Sequence, residues 1–278
     1  MMKRNSRAFF RNPVAVAALV ILVAVVLFCI VYPIVSPYSY WKMVVPDRLQ
    51  PPSAAHPLGT DNFGRDLLTR TAFGGRVTLS VAVTSGLISA VIGTLLGILC
   101  GYAGGRTDSI LMRLMDMISS IPSLLLAIVF DYSLGIGDGN FLFGIAIAGI
   151  PPFAKLVRAA VLEIGGSAYV EASLALGASH LHVVRKHVFH NVLPLAAVQA
   201  TTSMADALTT CTILGYINVS IRPPMPEWGS LFGGGAAQLR TLPYMALVPA
   251  AAIVICIVCL YLLGNGIRDS LSISGGEV

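Results

Sequence analysis

Long apolar runs alternate with short polar segments along this chain, and six of the runs are long enough to cross a bilayer. A helix needs about 20 residues to span roughly 30 Å of hydrocarbon. Asp116 and Pro122 interrupt the third run, but a membrane helix tolerates proline when neighbouring helices satisfy the freed carbonyl. The pattern predicts an all-α integral membrane protein with six transmembrane helices, near residues 14–35, 77–101, 113–134, 141–162, 195–217 and 243–264.

The composition argues against an ordinary soluble domain. Hydrophobic residues make up 56% of the 278 residues and charged residues only 11%, whereas soluble domains carry about 25% charged residues. The net charge of +5 indicates Lys and Arg beside anionic lipid, and we predict no nucleic-acid partner. All five cysteines lie in apolar runs, where cysteine is a small hydrophobe. We therefore predict no disulfide framework, and no zinc or redox site at the C-x-x-C of Cys256 and Cys259.

Basic residues set the predicted orientation of the spans. Four of them precede the first span, whose apolar run is too long for a signal peptide and is expected to be an uncleaved anchor. This places the N-terminus in the cytoplasm, and six spans return the C-terminus to the same side. With this topology eleven of the eighteen Lys and Arg residues are cytoplasmic and seven are outer, a bias of the expected sign.

The first outer loop, residues 36–76, has an extended half and a patterned half. Prolines keep the first half extended, and apolar residues at helical spacing from residue 61 onward predict a short helix on the membrane surface. Residues 59–66 have the glycine spacing of a phosphate loop but lack its Lys-Ser/Thr pair, so we expect a turn and a helix start there. We expect two parts in the chain: residues 1–76, with tail, first span and outer loop, and residues 77–278, a five-helix core.

A polar segment, residues 163–194, lies between two apolar runs and is the candidate contact for a soluble partner. Ser167 can cap a short helix, and Glu171 lies in its first turns, where a carboxylate suits the helix dipole. Gly177 is expected to end this helix. A second helix follows through the histidine-rich half, and Pro194 marks the return to the membrane. Two short helices that meet at a glycine predict a compact docking element, with an ordinary cytoplasmic loop as the alternative.

Four histidines crowd the second half of this segment. Their spacing matches no closed zinc pattern, and no cysteine or paired acid supports one. We therefore predict no metal ligand there, and expect interface hydrogen bonding or solvation instead. The four residues are His180, His182, His187 and His190.

Asp206 is an ionisable residue deep in the fifth predicted span, so it must face a cavity or a partner. Neighbouring threonines, including Thr209, make this face of the span polar. Two roles are open for Asp206: it could line the pore or pack against another helix, or it could contact the substrate directly. The following loop holds three prolines, including Pro224, and a tryptophan, Trp228. It predicts a stiff outer loop with an interfacial anchor, or a re-entrant connector. The predicted pathway residues are thus Asp206, Thr209, Pro224 and Trp228.

Several long motifs resemble those of a known family. Residues 169–194 resemble the EAA loop of the permease subunits of ABC importers. Residues 56–66 are similar to the first-loop signature of the dipeptide, oligopeptide and nickel permease group, the DppC/OppC type. Segments 101–108, 223–229 and 263–269 also look like that group, and they follow in the family's order. The resemblance covers nearly the whole chain.

The resemblance implies a type I ABC importer-like permease fold, with five core spans after an N-terminal one, in the inner membrane of a bacterium. It implies a second homologous permease subunit, two ABC ATPase subunits and an extracytoplasmic substrate-binding protein as partners, besides membrane lipid. The ATPase subunits would bind ATP and Mg²⁺, and no cofactor is expected in this chain. The implied function is half of the pathway of an ATP-driven uptake system for peptides or a related small solute, including nickel or a metal–chelator cargo.

The resemblance also implies roles within residues 163–194, called the coupling segment below. The ATPase groove would hold its short first helix, and ATP-driven closure would move that helix and rock the spans. The chain departs from the family at Ser173, where alanine is usual, and at His190, where proline is usual. The residues assigned to ATPase coupling are Glu171, Ala172, Ser173, Gly177, Arg185 and Pro194.

Two other function classes remain as alternatives. An ion-coupled secondary transporter could use Asp206, but that class predicts an internal repeat of spans, which the sequence does not show. A membrane-embedded enzyme would need a catalytic constellation. No Ser-His-Asp or paired-carboxylate arrangement is evident, so no catalytic residue is predicted.

Overall fold

The computed structural model describes residues 9–134 and 139–275, and the long elements in this part of the chain are all α-helices. A 3-10 turn, Val45–Asp47, lies in the first loop, and a π-helical turn covers Val184–Val188. The helices are α1 (Pro13–Val35), α2 (Leu67–Ala103), α3 (Gly105–Ser119), α4 (Ser123–Leu134), α5 (Phe141–Gly165), α6 (Ala168–Ala175), α7 (His180–Val183), α8 (Phe189–Tyr216), α9 (Trp228–Ala236) and α10 (Tyr244–Gly275).

Four of the described helices, α1, α2, α5 and α10, are long and apolar enough to cross a bilayer, and the bent pair α3–α4 makes a fifth candidate. The remaining predicted span, the fifth along the chain, corresponds to α8. Its 28 residues extend for about 42 Å at 1.5 Å per residue, but polar side chains along one face lower its hydropathy. The all-α membrane architecture predicted from the apolar runs is confirmed.

The third predicted span, residues 113–134, is wrong as a single helix. Helices α3 and α4 meet at 88° around a short break that contains Pro122. Proline lacks the N–H that would continue the helix and pushes the preceding residue out of helical geometry. The bent helix α3 is held to α5 by two ion pairs, Asp108 with Arg158 at 2.6 Å and Asp116 with Lys155 at 2.7 Å.

The predicted surface helix in the first loop is also wrong. Residues 67–76 form the first turns of α2, which continues without a break for 37 residues. Asp66 caps this helix by accepting a hydrogen bond from the Thr69 amide at 2.8 Å. The polar side chains that looked amphipathic, such as Arg70, are buried under the first loop instead of facing water. The division of the chain into residues 1–76 and 77–278 stays a prediction.

Helices α2 and α5 pack closely through three glycines four residues apart, Gly93, Gly97 and Gly101. Small residues at this spacing let two membrane helices approach until backbone meets backbone. A Cβ added at each glycine would lie 2.7 to 2.9 Å from a carbonyl oxygen of α5, those of Ile150, Ala154 and Arg158. Together α2 and α5 form the surface on which the coupling segment packs.

Candidate coupling surface and transport pathway

We use "outer end" for the end of the helix bundle that carries residues 36–66 and 217–243, following the predicted orientation. At this end Asp61 accepts a hydrogen bond from Arg65 Nε at 2.7 Å and lies 3.3 Å from Arg70 Nε. All three residues are buried. Arg70 also donates to the carbonyl oxygen of Tyr40 at 2.6 Å. Residues 59–66 therefore form a turn and a helix start, as predicted, stabilised by buried charges.

The outer connector between α8 and α10 is joined to α2 by Glu227 and Trp228. Glu227 caps α9, accepting hydrogen bonds from Gly229 N at 2.8 Å, Ser230 N at 3.0 Å and the Thr78 hydroxyl at 3.2 Å. Its side chain has no exposed surface, and burial raises the pKa of this carboxyl to about 7 although the hydrogen bonds lower it. Glu227 is thus a structural residue of the connector.

Trp228 is not the interfacial anchor that the sequence predicted. Its side chain is only 1% exposed, and its indole N–H donates to the carbonyl oxygen of Thr71 at 2.8 Å. Gly75 of α2 makes the space, since a Cβ there would lie 2.6 Å from Trp228 Cζ2. The indole thus finds its hydrogen-bond partner inside the protein rather than at the membrane surface.

At the opposite end of the bundle, the coupling segment begins with the short helix α6 and a sharp stop. Gly177 has φ +85°, a left-handed conformation that glycine adopts without steric cost. The Ala178 amide donates to the Ser173 carbonyl at 3.1 Å, and the Gly177 amide donates to the Leu174 carbonyl at 2.9 Å. These two bonds form a Schellman motif, the commonest way to end a helix at glycine. The predicted helix end at Gly177 is confirmed.

The predicted second helix through the histidine-rich half is present, but it continues into the membrane helix instead of forming a separate element. Helix α7, the π turn and α8 follow one another directly, and Pro194 lies inside α8. Neighbouring helices and local π adjustments make an internal proline tolerable in a membrane helix. Motion of the coupling segment would therefore be transmitted straight into α8.

Two valines of this second half anchor the segment to the bundle. Val188 and Val192 are fully buried and pack in a cluster with Ile98 of α2 and with α5. At the edge of the segment the Tyr102 hydroxyl and His180 Nδ1 share a hydrogen bond of 2.7 Å. Among the residues that the structure describes, no three His, Cys, Asp or Glu side chains are placed to hold a metal ion.

The other face of the coupling segment is exposed and partly apolar. Leu176 is 89% exposed, and Tyr169 and Leu181 are also exposed. An exposed apolar patch with a polar rim marks a surface for a protein partner or a membrane. Of the residues assigned to coupling, Glu171, Ala172, Gly177 and Arg185 are exposed, whereas Ser173 and Pro194 are half-buried.

Two of the four predicted pathway residues lie together. Asp206 and Thr209 line a cavity of about 350 Å³ between α2, α4, α5 and α8. Asp206 accepts a hydrogen bond from the Tyr261 hydroxyl at 2.9 Å. Pro224 lies instead on a separate cavity of about 680 Å³ at the outer end, where its carbonyl is 3.4 Å from Arg70 Nη1. Trp228 lines neither of these two cavities.

Sequence reasoning missed two features of this arrangement. The spacing Gly93, Gly97 and Gly101 is visible in the sequence and could have predicted the close α2–α5 contact. Glu227 lies in the proline-rich motif and caps the residues that follow it, but nothing local shows that it also accepts a hydrogen bond from Thr78 of α2. That pairing needs the packing of α2 against the connector.

Comparison with known proteins places these features in a family. The profile described as the inner membrane component of binding-protein-dependent transport systems matches residues 93–272. The profile described as the N-terminal TM domain of oligopeptide transport permease C matches residues 1–52. Together they cover most of the chain.

Relatives in peptide transport systems align along nearly the whole length. The oligopeptide transport system permease protein OppC of Haemophilus influenzae is 35% identical over 271 residues, covering 95% of this chain and 86% of the relative. The probable D,D-dipeptide transport system permease protein DdpC of Escherichia coli is 36% identical over 265 residues, covering 95% and 89%. The di/tripeptide transport system permease protein DppC of Pseudomonas aeruginosa is 34% identical over 276 residues, covering 97% and 91%.

A solved structure shares the fold. An inward-facing conformation of the MetNI methionine ABC transporter matches with a TM-score of 0.57 and 21% identity, covering 72% of this chain and 94% of that chain. This likeness shows the type I permease fold. The chain belongs to the family of inner membrane components of binding-protein-dependent transport systems, as a multi-pass permease subunit without an ATP-hydrolysing site of its own.

Proposed function

We propose that this chain forms half of the translocation pathway of a bacterial ABC importer for di- or oligopeptides. The three relatives named above are permeases of oligopeptide, D,D-dipeptide and di/tripeptide systems by their names. The second half comes from a homologous permease subunit. An extracytoplasmic binding protein delivers the cargo, two ATPase subunits bind ATP and Mg²⁺, and both termini lie in the cytoplasm.

The coupling proposal rests on one observation: α6 presents an exposed face on a short, sharply ended helix. Glu171 and Ala172 are exposed on that helix, and Leu176 at its end is almost fully exposed. A soluble ATPase could cover this apolar surface and contact the carboxylate. Four residues, 176–179, join α6 to α7, and α7 continues through the π turn into α8. A push on α6 would therefore reach a pathway helix through this short connection.

Charge reversal at Glu171 tests this surface. In proteoliposomes with the complete complex, Glu171→Lys should lower ATP-driven peptide uptake at least about tenfold, the effect of losing roughly 1.4 kcal/mol of docking energy. Glu163→Lys is the matched control: Glu163 is the first residue of the coupling segment and is also exposed, but it belongs to the end of α5 and not to α6. Uptake by Glu171→Lys at the rate of the control would contradict the coupling assignment.

An ion-coupled carrier remains the second candidate, favoured by the exposed carboxylate of Asp206 on a polar helix face. The two mechanisms differ in what drives uptake. This chain reconstituted alone should not accumulate peptide under a proton or sodium gradient. Accumulation by the chain alone would favour the carrier over the ABC permease.

A further inference from the structure

The cavity that contains Asp206 has an unusual balance of hydrogen-bonding groups. Hydroxyl side chains from α2, α4 and α8 surround it, together with one amide, that of Gln199, and one carboxylate. Among the described residues that line it, none carries a positive charge. A cavity in a membrane protein with a single acidic group favours a cation over an anion.

Four of these hydroxyl groups donate their hydrogen to a backbone carbonyl oxygen. Ser85 donates to the Val81 carbonyl at 2.7 Å, and Ser89 donates across to the Ala146 carbonyl of α5 at 2.7 Å. On α8, Thr209 and Thr210 each donate to a carbonyl four residues earlier, at 2.8 and 3.0 Å.

A hydroxyl has one hydrogen and two acceptor lone pairs. After these bonds, the four oxygens can only accept hydrogen bonds from whatever enters the cavity.

The carboxylate adds to this acceptor surface. Asp206 receives one hydrogen bond, from Tyr261 on α10 at 2.9 Å, and an ionised carboxylate has about four acceptor positions. The Tyr261 contact orients the group without neutralising it. The cavity therefore presents several acceptors and one negative charge, with Ser123, Ser203 and Gln199 as its neutral donors.

We infer that this cavity binds the cationic α-amino group of the peptide cargo during translocation. An ammonium carries three donors and no acceptor, which complements acceptor oxygens and a carboxylate, whereas the peptide's carboxyl terminus would be repelled. The part of the cavity that this chain lines has a volume of about 350 Å³, at the small end of ligand pockets, which is enough room for the terminal residue of a peptide. The inference rests on the proposed peptide-uptake function.

The test compares two cargoes that differ in the amino group. Uptake of trialanine and N-acetyl-trialanine is measured in proteoliposomes with the complete complex and its binding protein, for wild type and Asp206→Asn. For each permease, the uptake rate of trialanine is divided by that of N-acetyl-trialanine. The binding protein is the same for wild type and Asp206→Asn, so its own preference cancels when these two ratios are compared. The preference for free trialanine should fall at least about tenfold in Asp206→Asn, as expected for losing one charge-assisted hydrogen bond.

Controls separate the inference from a general defect. Asp206→Glu keeps the charge and should keep most of the preference, and Asp116→Asn removes an acid that does not line the cavity and should change nothing. If Asp206→Asn fails to assemble, Thr209→Val, which removes one acceptor, should lower the preference about threefold. If Asp206→Asn assembles, or Thr209→Val in its place, and its ratio of trialanine to N-acetyl-trialanine uptake equals that of wild type, the inference is overturned. Wild-type complex that takes up neither peptide overturns the proposed function as well.

Discussion

The outer end and the coupling segment are stabilised in different ways. At the outer end the polar groups are buried and paired: Asp61 lies between two arginines, and Glu227 accepts hydrogen bonds from neutral groups of α2 and α9. The coupling segment instead rests on a few buried valines, such as Val188, and presents most of its polar and apolar side chains to solvent. The outer end is thus held in one arrangement by buried contacts, and the coupling segment exposes the surface that we propose a partner covers.

The energetics of the two ends follow from burial. Removing one member of a buried charged network leaves its partners without water and without a hydrogen bond, which costs about 3–5 kcal/mol. Exposed pairs contribute about 0–1 kcal/mol because water replaces the lost contact. Changes at the outer end should therefore lower the stability of the fold, whereas changes in the coupling segment should lower activity.

The largest effect is expected at Glu227. Glu227→Ala leaves the amides of Gly229 and Ser230 and the Thr78 hydroxyl without their acceptor. Each buried donor left unsatisfied costs about 1–3 kcal/mol, so the free energy of unfolding should fall by about 3–5 kcal/mol. Thermal unfolding of the purified protein in detergent measures the change. Glu163→Ala, at an exposed position, is the control and should stay within about 0.5 kcal/mol of wild type. Equal melting temperatures for the two variants would contradict the claim that the outer end is more sensitive to substitution than the coupling segment.

A smaller loss is expected at Asp61. Asp61→Asn removes the charge that faces Arg65 and Arg70, and two buried guanidinium groups then lie together without a counter-charge. The expected destabilisation is about 2–4 kcal/mol, again by thermal unfolding. Asp116→Asn removes a mostly exposed ion pair and should cost under about 1 kcal/mol. A similar loss in both variants would mean that burial does not set the stability of the outer end.

Gly177→Ala is expected to change activity more than stability. A side chain at φ +85° costs roughly 1–2 kcal/mol, but no other group lies within 4 Å of the added Cβ. Peptide uptake by the complete complex should fall a few-fold while the melting temperature stays unchanged, because a local segment opens independently of the core. Gly165→Ala, also with open space but without a positive φ, is the matched control. A lower melting temperature with full peptide uptake would contradict the claim that changes in the coupling segment lower activity more than stability.

The smallest effect is expected at the edge of the coupling segment. Tyr102→Phe removes the exposed hydrogen bond to His180, which contributes about 0.5–1.5 kcal/mol. Amide hydrogen exchange in α7 should become a few-fold faster, with no change at the outer end. Unchanged exchange in α7 would show that the buried valines alone hold the segment.

Local chemistry predicted the elements whose causes lie close together in the chain. The turn at residues 59–66 and the helix end at Gly177 follow from glycine and capping residues within a few positions. The bend at Pro122 and the continuous helix through residues 67–76 could not be predicted in this way. Proline can either kink a membrane helix slightly or break it, and the packing of neighbouring helices decides which. For residues 67–76 the deciding feature is a loop that buries Arg70.

Apolar runs were enough to predict an all-α membrane protein, and the motifs were enough to identify the permease family. Apolar runs, basic flanks and capping signals each lie within one continuous stretch of chain, so they can be interpreted without a fold. The packing of the helices was needed to show that Trp228 is a core residue, that Glu227 joins the connector to α2, and that the hydroxyls around Asp206 present acceptors. Those properties depend on partners supplied by helices distant in the chain.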